Sequence, residues 1–585
     1  MRLILFVLTV STAVPALADT QDYVKANVIL VKSTIAYFDV GQKSGVAAGE
    51  PFDVYYDERV VASGKIAWSD ENISKSEPLD SAIAAWMMFT EPLTARIRLF
   101  VAQSNRGGFL NIAYFSDLDL APAGITMPDE MMIGRLIHRG LISKGSDGRF
   151  QPDLCGDYEI RDLTYTFYLR PDARFHSGRP VEASDVVYSL EQLASAPSLT
   201  NAASFVLEVK GAEEFRNQLV GEISGVFIID NKTVAITLKR PFEAFEDYLA
   251  GPAGYIIPRP GDVATNMDGA GPFKIKWRDS DALTLEAFDS SVYLDSLRFL
   301  RFSDVEEAGL SFEMGRLDMI PFLGEPPPKF ITRGNYSSQN SPTNAYVILG
   351  INNDRSFQSG QALGKALSFL LDRSSLIRVI LGGSASLPNF DISGQGQSLI
   401  DLYHPFIPDS AKYFFDTLPN RPKSLNLGVD ARFPVLTKVA RYIEGQIQSK
   451  GIKVNESKMD MQWGYKNGSF LNLDLYVTCF LPACGKPDCL FYPLLSQQLS
   501  GQTGILLYED EATEIFLQNL RSETDAQKKE DIALELTQSL VDRSPLVFVY
   551  RPYLTVIYRT DISGMMADPA GYVDLRKTYI ELETR

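Results

Sequence analysis

The chain has 585 residues, 45% apolar and 22% charged, enough for about three or four domains of ~150 residues and a core that needs no covalent staple. Its formal charge of −17 repels polyanions, because a nucleic-acid binder must displace counterions with clustered Lys and Arg. Nucleic acid and anionic lipid are therefore excluded as partners.

The first residues, MRLILFVLTVSTAVPALADT, combine an early Arg2, an apolar run from Leu3 to Val10 and the small-x-small Ala16-Leu17-Ala18. This pattern predicts a signal peptide over residues 1–18, cut after Ala18, and export to a compartment where disulfides persist. The run falls short of the ~20 residues that span a bilayer, so stable membrane insertion is not expected. Residues 19–106 form the next predicted unit, a small β-rich module. In TIAYFDVGQKSGVAAGEPFDVYYDERVVASGKIAW, short apolar runs alternate with turn signals at Gly41, Gly45, Gly49, Asp57 and Gly64, as in a small barrel or antiparallel sheet.

From Gly107 the texture becomes mixed α and β. Tyr165, Phe167 and Leu169 share one strand face by period two. Val186, Val187, Leu190 and Leu193 then make a helical stripe, with Ser184 and Asp185 as acceptors at its start. A strand through Val234, Ile236 and Leu238 precedes a predicted helix carrying Phe242, Phe245 and Leu249. Further on, Leu425, Leu427 and Val429 mark a strand, and Leu436, Val439, Ala440, Ile443 and Ile447 mark a helix face. Gly451 stops that helix before a strand at Ile452 and Val454, completing a βαβ unit. In LDLYVTCF, alternation puts Leu473, Leu475, Val477 and Cys479 on one face and Asp474, Tyr476, Thr478 and Phe480 on the other. Open α/β sheets bind ligands beyond the carboxyl ends of their strands, which places Phe480 and the loop after it beside a ligand.

That loop, CFLPACGKPDC, holds Cys479, Cys484 and Cys489 at steps of five. A structural zinc site takes four ligands, usually in C-x(2 to 4)-C pairs, and the fourth cysteine, Cys155, is far away, so metal is disfavoured. Gly485 and Pro487 make a turn that can bring Cys484 and Cys489 together as a disulfide. Cys479 is then a buried thiol, and Cys155 either its partner or a second buried thiol. His138, His176 and His404 are scattered, and neither a zinc-hydrolase motif, a nucleophile elbow nor a phosphate loop occurs. Enzymatic function, a catalytic residue, a metal and a cofactor are accordingly not expected.

Taken in order, RGLISKGSDGRFQPDL, LTYTFYLRPDARFHSGRPVEASDVVYSL, GAGPFKIKW, FEMGRLDMIP and KALSFLLDRSSLIRVILGG resemble extracellular solute-binding protein family 5, the periplasmic oligopeptide-, dipeptide- and nickel-binding proteins of ABC transporters. The resemblance implies an α/β, two-lobed periplasmic-binding-protein fold with an inserted subdomain, here preceded by the small all-β module. It implies a first lobe over residues 107–355 with the subdomain at about 145–260, a second lobe over 356–550 and a return to the first over 551–585. The expected function is a monomeric periplasmic carrier that captures a small-molecule or peptide-like solute between the lobes and hands it to the membrane subunits of an ABC importer. The alternative is a protein diverged from transport, acting in envelope interaction or sensing through the β module. Candidate ligand contacts are Phe480, Asp488, Tyr114 and Trp463, and each aromatic also fits plain core packing. In peptide-binding members an Asp after the strand resembling LDLYVTCF holds the peptide amino group; Ala483 stands there, with Asp488 nearby. Gly364 and Lys365 stand where the family often has Arg, so generic dipeptides are not expected ligands. Arg373 is expected in a structural ion pair, and His176 in a structural turn.

Overall fold

The computed structural model describes residues 23–32, 34–39, 46, 51–56, 59–69, 73–80, 83, 84, 87, 93–98, 107–145, 148–196, 202–259, 268–332, 334–353, 361–392, 398–460, 472–496 and 510–581. The expected signal segment and the turn glycines Gly41, Gly45 and Gly49 lie outside these residues. Contacts divide the chain into Met1–Arg106 with Leu582–Arg585, and Gly107–Glu581. In the first unit six strands close into a barrel, in the order Tyr23–Lys32, Ile35–Phe38, Ser74–Ser76, Arg59–Ser69, Pro51–Tyr56, Thr94–Arg98. Closure leaves no sheet edge to template aggregation. Period-two alternation buries Ala36, Phe38, Phe52 and Val54 inside it, and the rings of Phe38 and Phe52 meet with centroids 4.8 Å apart.

The second unit is organised by a twelve-stranded sheet. Its main path runs Phe273–Arg278, Ala282–Ala287, Ser296–Arg301, Phe109–Tyr114, Met319–Leu323, Leu546–Arg559, Tyr346–Ile351, Leu475–Phe480, Ser424–Asp430, Lys453–Met459. The long strand Leu546–Arg559 joins two halves of this sheet. Its Leu554–Tyr558 segment pairs with Met319–Leu323, while Leu546–Tyr550 pairs with Tyr346–Ile351. Between those segments, Pro552 accepts from the Thr343 hydroxyl at 2.6 Å and Arg551 donates to the Thr343 carbonyl at 2.7 Å.

The βαβ unit forms as its periodicity dictates. Strands Ser424–Asp430 and Lys453–Met459 run parallel, and helix Val435–Gln448 buries Leu436, Val439, Ala440, Ile443 and Ile447 between its polar positions. Gly451 takes φ +75°, a conformation that glycine adopts without strain, and so turns the chain back into the sheet. A separate four-stranded sheet orders Cys155–Arg161, Thr164–Leu169, Thr233–Thr237, Val226–Asp230, with helix Ala183–Ala194 contributing to the same core. Asp185 there accepts from the Glu182 backbone N–H at 2.9 Å and caps the helix.

Two local expectations need correction. The helix after the strand through Ile236 covers only Phe245–Leu249, because Pro241 precedes it and Phe242 sits in the connecting segment. Leu473 lies before the strand Leu475–Phe480 and packs with Tyr476 and Phe480, not with Leu475, Val477 and Cys479, since the period-two register starts only with the strand.

Candidate functional site

The strand Ser424–Asp430 ends at a short turn, Ala431–Pro434, that leads into helix Val435–Gln448. This turn faces the start of helix Pro128–Ile137, the end of strand Met319–Leu323, and Gly571–Val573 across a recess of about 590 Å³, part of it open to solvent. A recess at the carboxyl end of a parallel strand is where an open α/β sheet offers a ligand both side chains and helix N-termini. Met127, Met132, Phe322, Phe433 and Leu554 make most of its wall apolar.

Three charged residues line it: Asp129, Glu325 and Arg432. Arg432 reaches back to fully buried Asp430 with Nε at 2.9 Å and Nη2 at 2.7 Å, and the Thr478 hydroxyl donates to the same carboxylate at 2.6 Å. Burial opposes the Arg432 charge, but the Asp430 carboxylate outweighs it and holds the guanidinium above its ordinary value. The Asp129 carboxylate accepts from the N–H groups of Phe115 at 2.7 Å and Ser116 at 3.1 Å, while burial raises its pKa. Its neighbour Glu130 gathers the N–H groups of Thr126, Met127 and Asp119 at 2.7, 2.9 and 3.0 Å, fixing the segment that brings Met127 to the recess. Glu325 has one cation within reach among the described residues, Lys438 at 3.4 Å, and burial pushes its pKa up.

The described residues among those singled out in the sequence lie elsewhere. Phe480 is buried in the cluster with Tyr346, Phe491 and Phe548, because its strand is covered on both faces. Tyr114 is buried in the cluster with Leu110, Ile112 and Phe299, the packing role its aromatic body also fits. Asp488 is bound by Arg521, Nε at 3.0 Å and Nη2 at 3.2 Å, and Arg521 also reaches Glu208 at 2.7 Å. Its carboxylate is thus spent inside the protein. Trp463 lies outside the described residues. Cys484 and Cys489 are joined, with Cα atoms 5.5 Å apart, and both pack into the core of the four-stranded subdomain, whereas Cys155 and Cys479 are buried free thiols. Arg373, expected in an ion pair, instead donates to the carbonyls of Phe548, Ser368 and His404 at 2.9, 3.0 and 3.2 Å, and burial lowers its pKa to about 9. His176 lies in its turn with Nε2 2.9 Å from the Gly271 carbonyl.

Sequence reasoning missed Arg432, Glu325 and Met127–Asp129. Asp430 ends a legible strand and Arg432 lies just past it, so the carboxyl-end rule applied to SLNLGVDAR would have found them. Glu325 and Met127 carried no local signal. Among the described residues no cluster of three or more His, Cys, Asp or Glu could hold a metal ion, and no helix is long and apolar enough to cross a membrane.

Comparison with known proteins places this architecture. The chain is 20% identical over 474 residues to the dipeptide-binding protein DppE of Bacillus subtilis, covering 75% of this chain and 86% of that protein. It is 22% identical over 488 residues to the glutathione-binding protein GsiB of Pectobacterium atrosepticum, covering 78% and 90%. The structure of Haemophilus influenzae OppA in complex with RPPGFSPFR superposes with a TM-score of 0.70 at 18% identity, covering 81% of this chain and 99% of that one. The architecture is therefore that of a two-lobed periplasmic-binding-protein fold, with the barrel as an additional all-β unit. Residues 149–502, more than half of the chain, match the bacterial extracellular solute-binding proteins, family 5 (middle), and the chain belongs to that family.

Proposed function

We propose that the protein captures a small solute in the recess between its lobes and delivers it, in the periplasm, to the membrane subunits of an ABC-type importer. The observation that carries this reading is the composition of the recess: Phe322 and Leu323 end strand Met319–Leu323 in one half of the long sheet, and Arg432–Val435 follow strand Ser424–Asp430 in the other. A ligand touching both walls favours the closed arrangement by its differential contacts, and the connection at Thr343 and Arg551–Tyr553 is the natural hinge. The dipeptide- and glutathione-binding relatives support a peptide-like solute, within the wider class of small amphipathic molecules. The test is mass spectrometry of small molecules released by denaturing protein purified from its native periplasm, paired with melting and small-angle scattering. Release of one stoichiometric solute, whose return raises the melting temperature and compacts the protein, is the expected result. Absence of any released solute, with no melting shift across peptides, sugars and metal chelates, would sink the reading.

A further inference from the structure

Glu325 is an anomaly in the recess. Its side chain is only 8% exposed, yet the sole cation it meets among the described residues is Lys438, at 3.4 Å and with a side chain 49% exposed. A buried carboxylate normally has a close partner, because desolvating it costs far more than one long, water-competed contact returns. Burial pushes its carboxyl up; Lys438 works against that, and Asp304 and Glu306 add smaller upward pushes.

The other charged groups do not balance this site. Among the described residues Arg432 is the one cation lining the recess, and both Asp430 oxygens already hold it, so its charge is cancelled inside the protein. Asp129 adds negative charge that is met by neutral backbone N–H groups. The recess therefore gathers carboxyl groups against an apolar wall at Met132, Phe322 and Phe433, and among the described residues that line it there is no uncommitted cation for an anionic group.

Resting on the solute-capture reading above, we infer that the ligand presents a cationic nitrogen to Glu325, carries an apolar body and has no free carboxylate: an amine or amidated peptide-like amine. A protonated amine at Glu325 completes a pair that the protein leaves open. Lys438 competes weakly for the same carboxylate. A zwitterion such as a free amino acid or dipeptide brings a carboxylate into a site with nothing to receive it.

Four probes of one shape separate the possibilities: L-phenylalaninamide as the cation, L-phenylalanine as the zwitterion, N-acetyl-L-phenylalaninamide as the neutral form and 3-phenylpropionate as the anion. Each is titrated calorimetrically into protein unfolded and refolded to remove bound solute, and the solute released in that step is identified. Phenylalaninamide is expected to bind at least tenfold more tightly than the other three. Glu325→Gln should lose that preference while keeping the native melting transition, and Lys438→Met, at a half-exposed position, should bind the amide more tightly than the parent. Equal or tighter binding of the zwitterion, neutral form or anion, or an unchanged preference in Glu325→Gln, overturns the inference and leaves solute capture standing. A released solute without a cationic nitrogen, or with a free carboxylate, does the same. A released cationic solute supports the inference even where the small probes are too short to bind. If no probe binds and no solute is released, capture itself falls, and this inference with it.

Discussion

Arg521 shows what one side chain does when its charge is fully enclosed. It is 4% exposed and clasps Asp488 and Glu208 while its guanidinium lies 3.4 Å from the ring centroid of Tyr492. Because Glu208 also has Arg240 at 2.8 Å, Arg521→Met strands chiefly Asp488. A buried charge left without its partner costs about 3–5 kcal/mol, so urea unfolding of this variant should show a loss of that order. A loss under 1 kcal/mol would mean that Asp488 finds water or a new donor. The disulfide works on a smaller scale. Linking residues five apart closes a short loop, for which chain entropy gives about 2 kcal/mol. Replacing both Cys484 and Cys489 by Ser should lower unfolding free energy by that amount, and a reductant should do the same to the parent protein. Equal stability with and without reductant would show the bond to be neutral.

At the level of elements, Gly364 explains why no cation can stand there. It lies in helix Ala362–Leu370, and a Cβ at this position would meet the Ser544 carbonyl oxygen well inside van der Waals contact. The helix therefore packs against the segment that leads into strand Leu546–Arg559 through a hydrogen-only surface. Gly364→Ala must push helix and strand entry apart, and overpacking of this kind costs about 1–3 kcal/mol despite alanine's better helix propensity. A drop in melting temperature is the expected readout. A more stable variant would show that the helix shifts freely. Lys365, next in sequence, lays its Nζ 5.5 Å from the ring centroid of Phe414, a local packing role.

For the whole molecule, acid stability is a sum of opposed titrations. Burial lowers the His138 pKa to about 4 while Nε2 donates to the Leu120 carbonyl at 3.0 Å, so the unfolded chain takes up a proton first and stability falls as pH drops from about 6.5 to 4. Burial raises Glu130 to about 7, so the folded state takes up that proton first and stability rises as pH drops from about 7 to 4.5. Shifts of similar size and opposite sign offset each other. Asp574 is different: burial would raise it, but Arg576 and Arg135 hold it at about 2, so its contribution of about 2 kcal/mol is lost between pH 4 and 2. The His138 and Glu130 contributions to unfolding free energy should nearly cancel from pH 7 to 4.5, and the Asp574 contribution should be lost below 4. Glu130→Gln should unmask a decline between pH 6.5 and 4.5, and His138→Leu a rise over the same range. Flat profiles in both variants would refute the offset.

Elements whose side-chain period matches their geometry could be read directly. The βαβ unit at residues 424–459, the strand at Tyr165–Leu169 and the turn at Gly485–Pro487 are governed by neighbours within about a dozen positions, and pattern alone specifies them. Phe480 and Tyr114 could not be placed that way, because alternation says which side chains share a face and not whether a second layer covers it. Asp488 gave no hint that Arg521, 33 residues on, would occupy it, or that Glu208, 313 residues from that arginine, would share the cation. The recess is the extreme case. Its walls come from residues 115, 127–129, 132, 305, 321–323, 325, 432–435, 554 and 571–573, and its carboxyl groups come together only where those segments meet. A binding site is a property of distances between remote groups, which chain connectivity leaves undetermined until the two lobes have folded and packed.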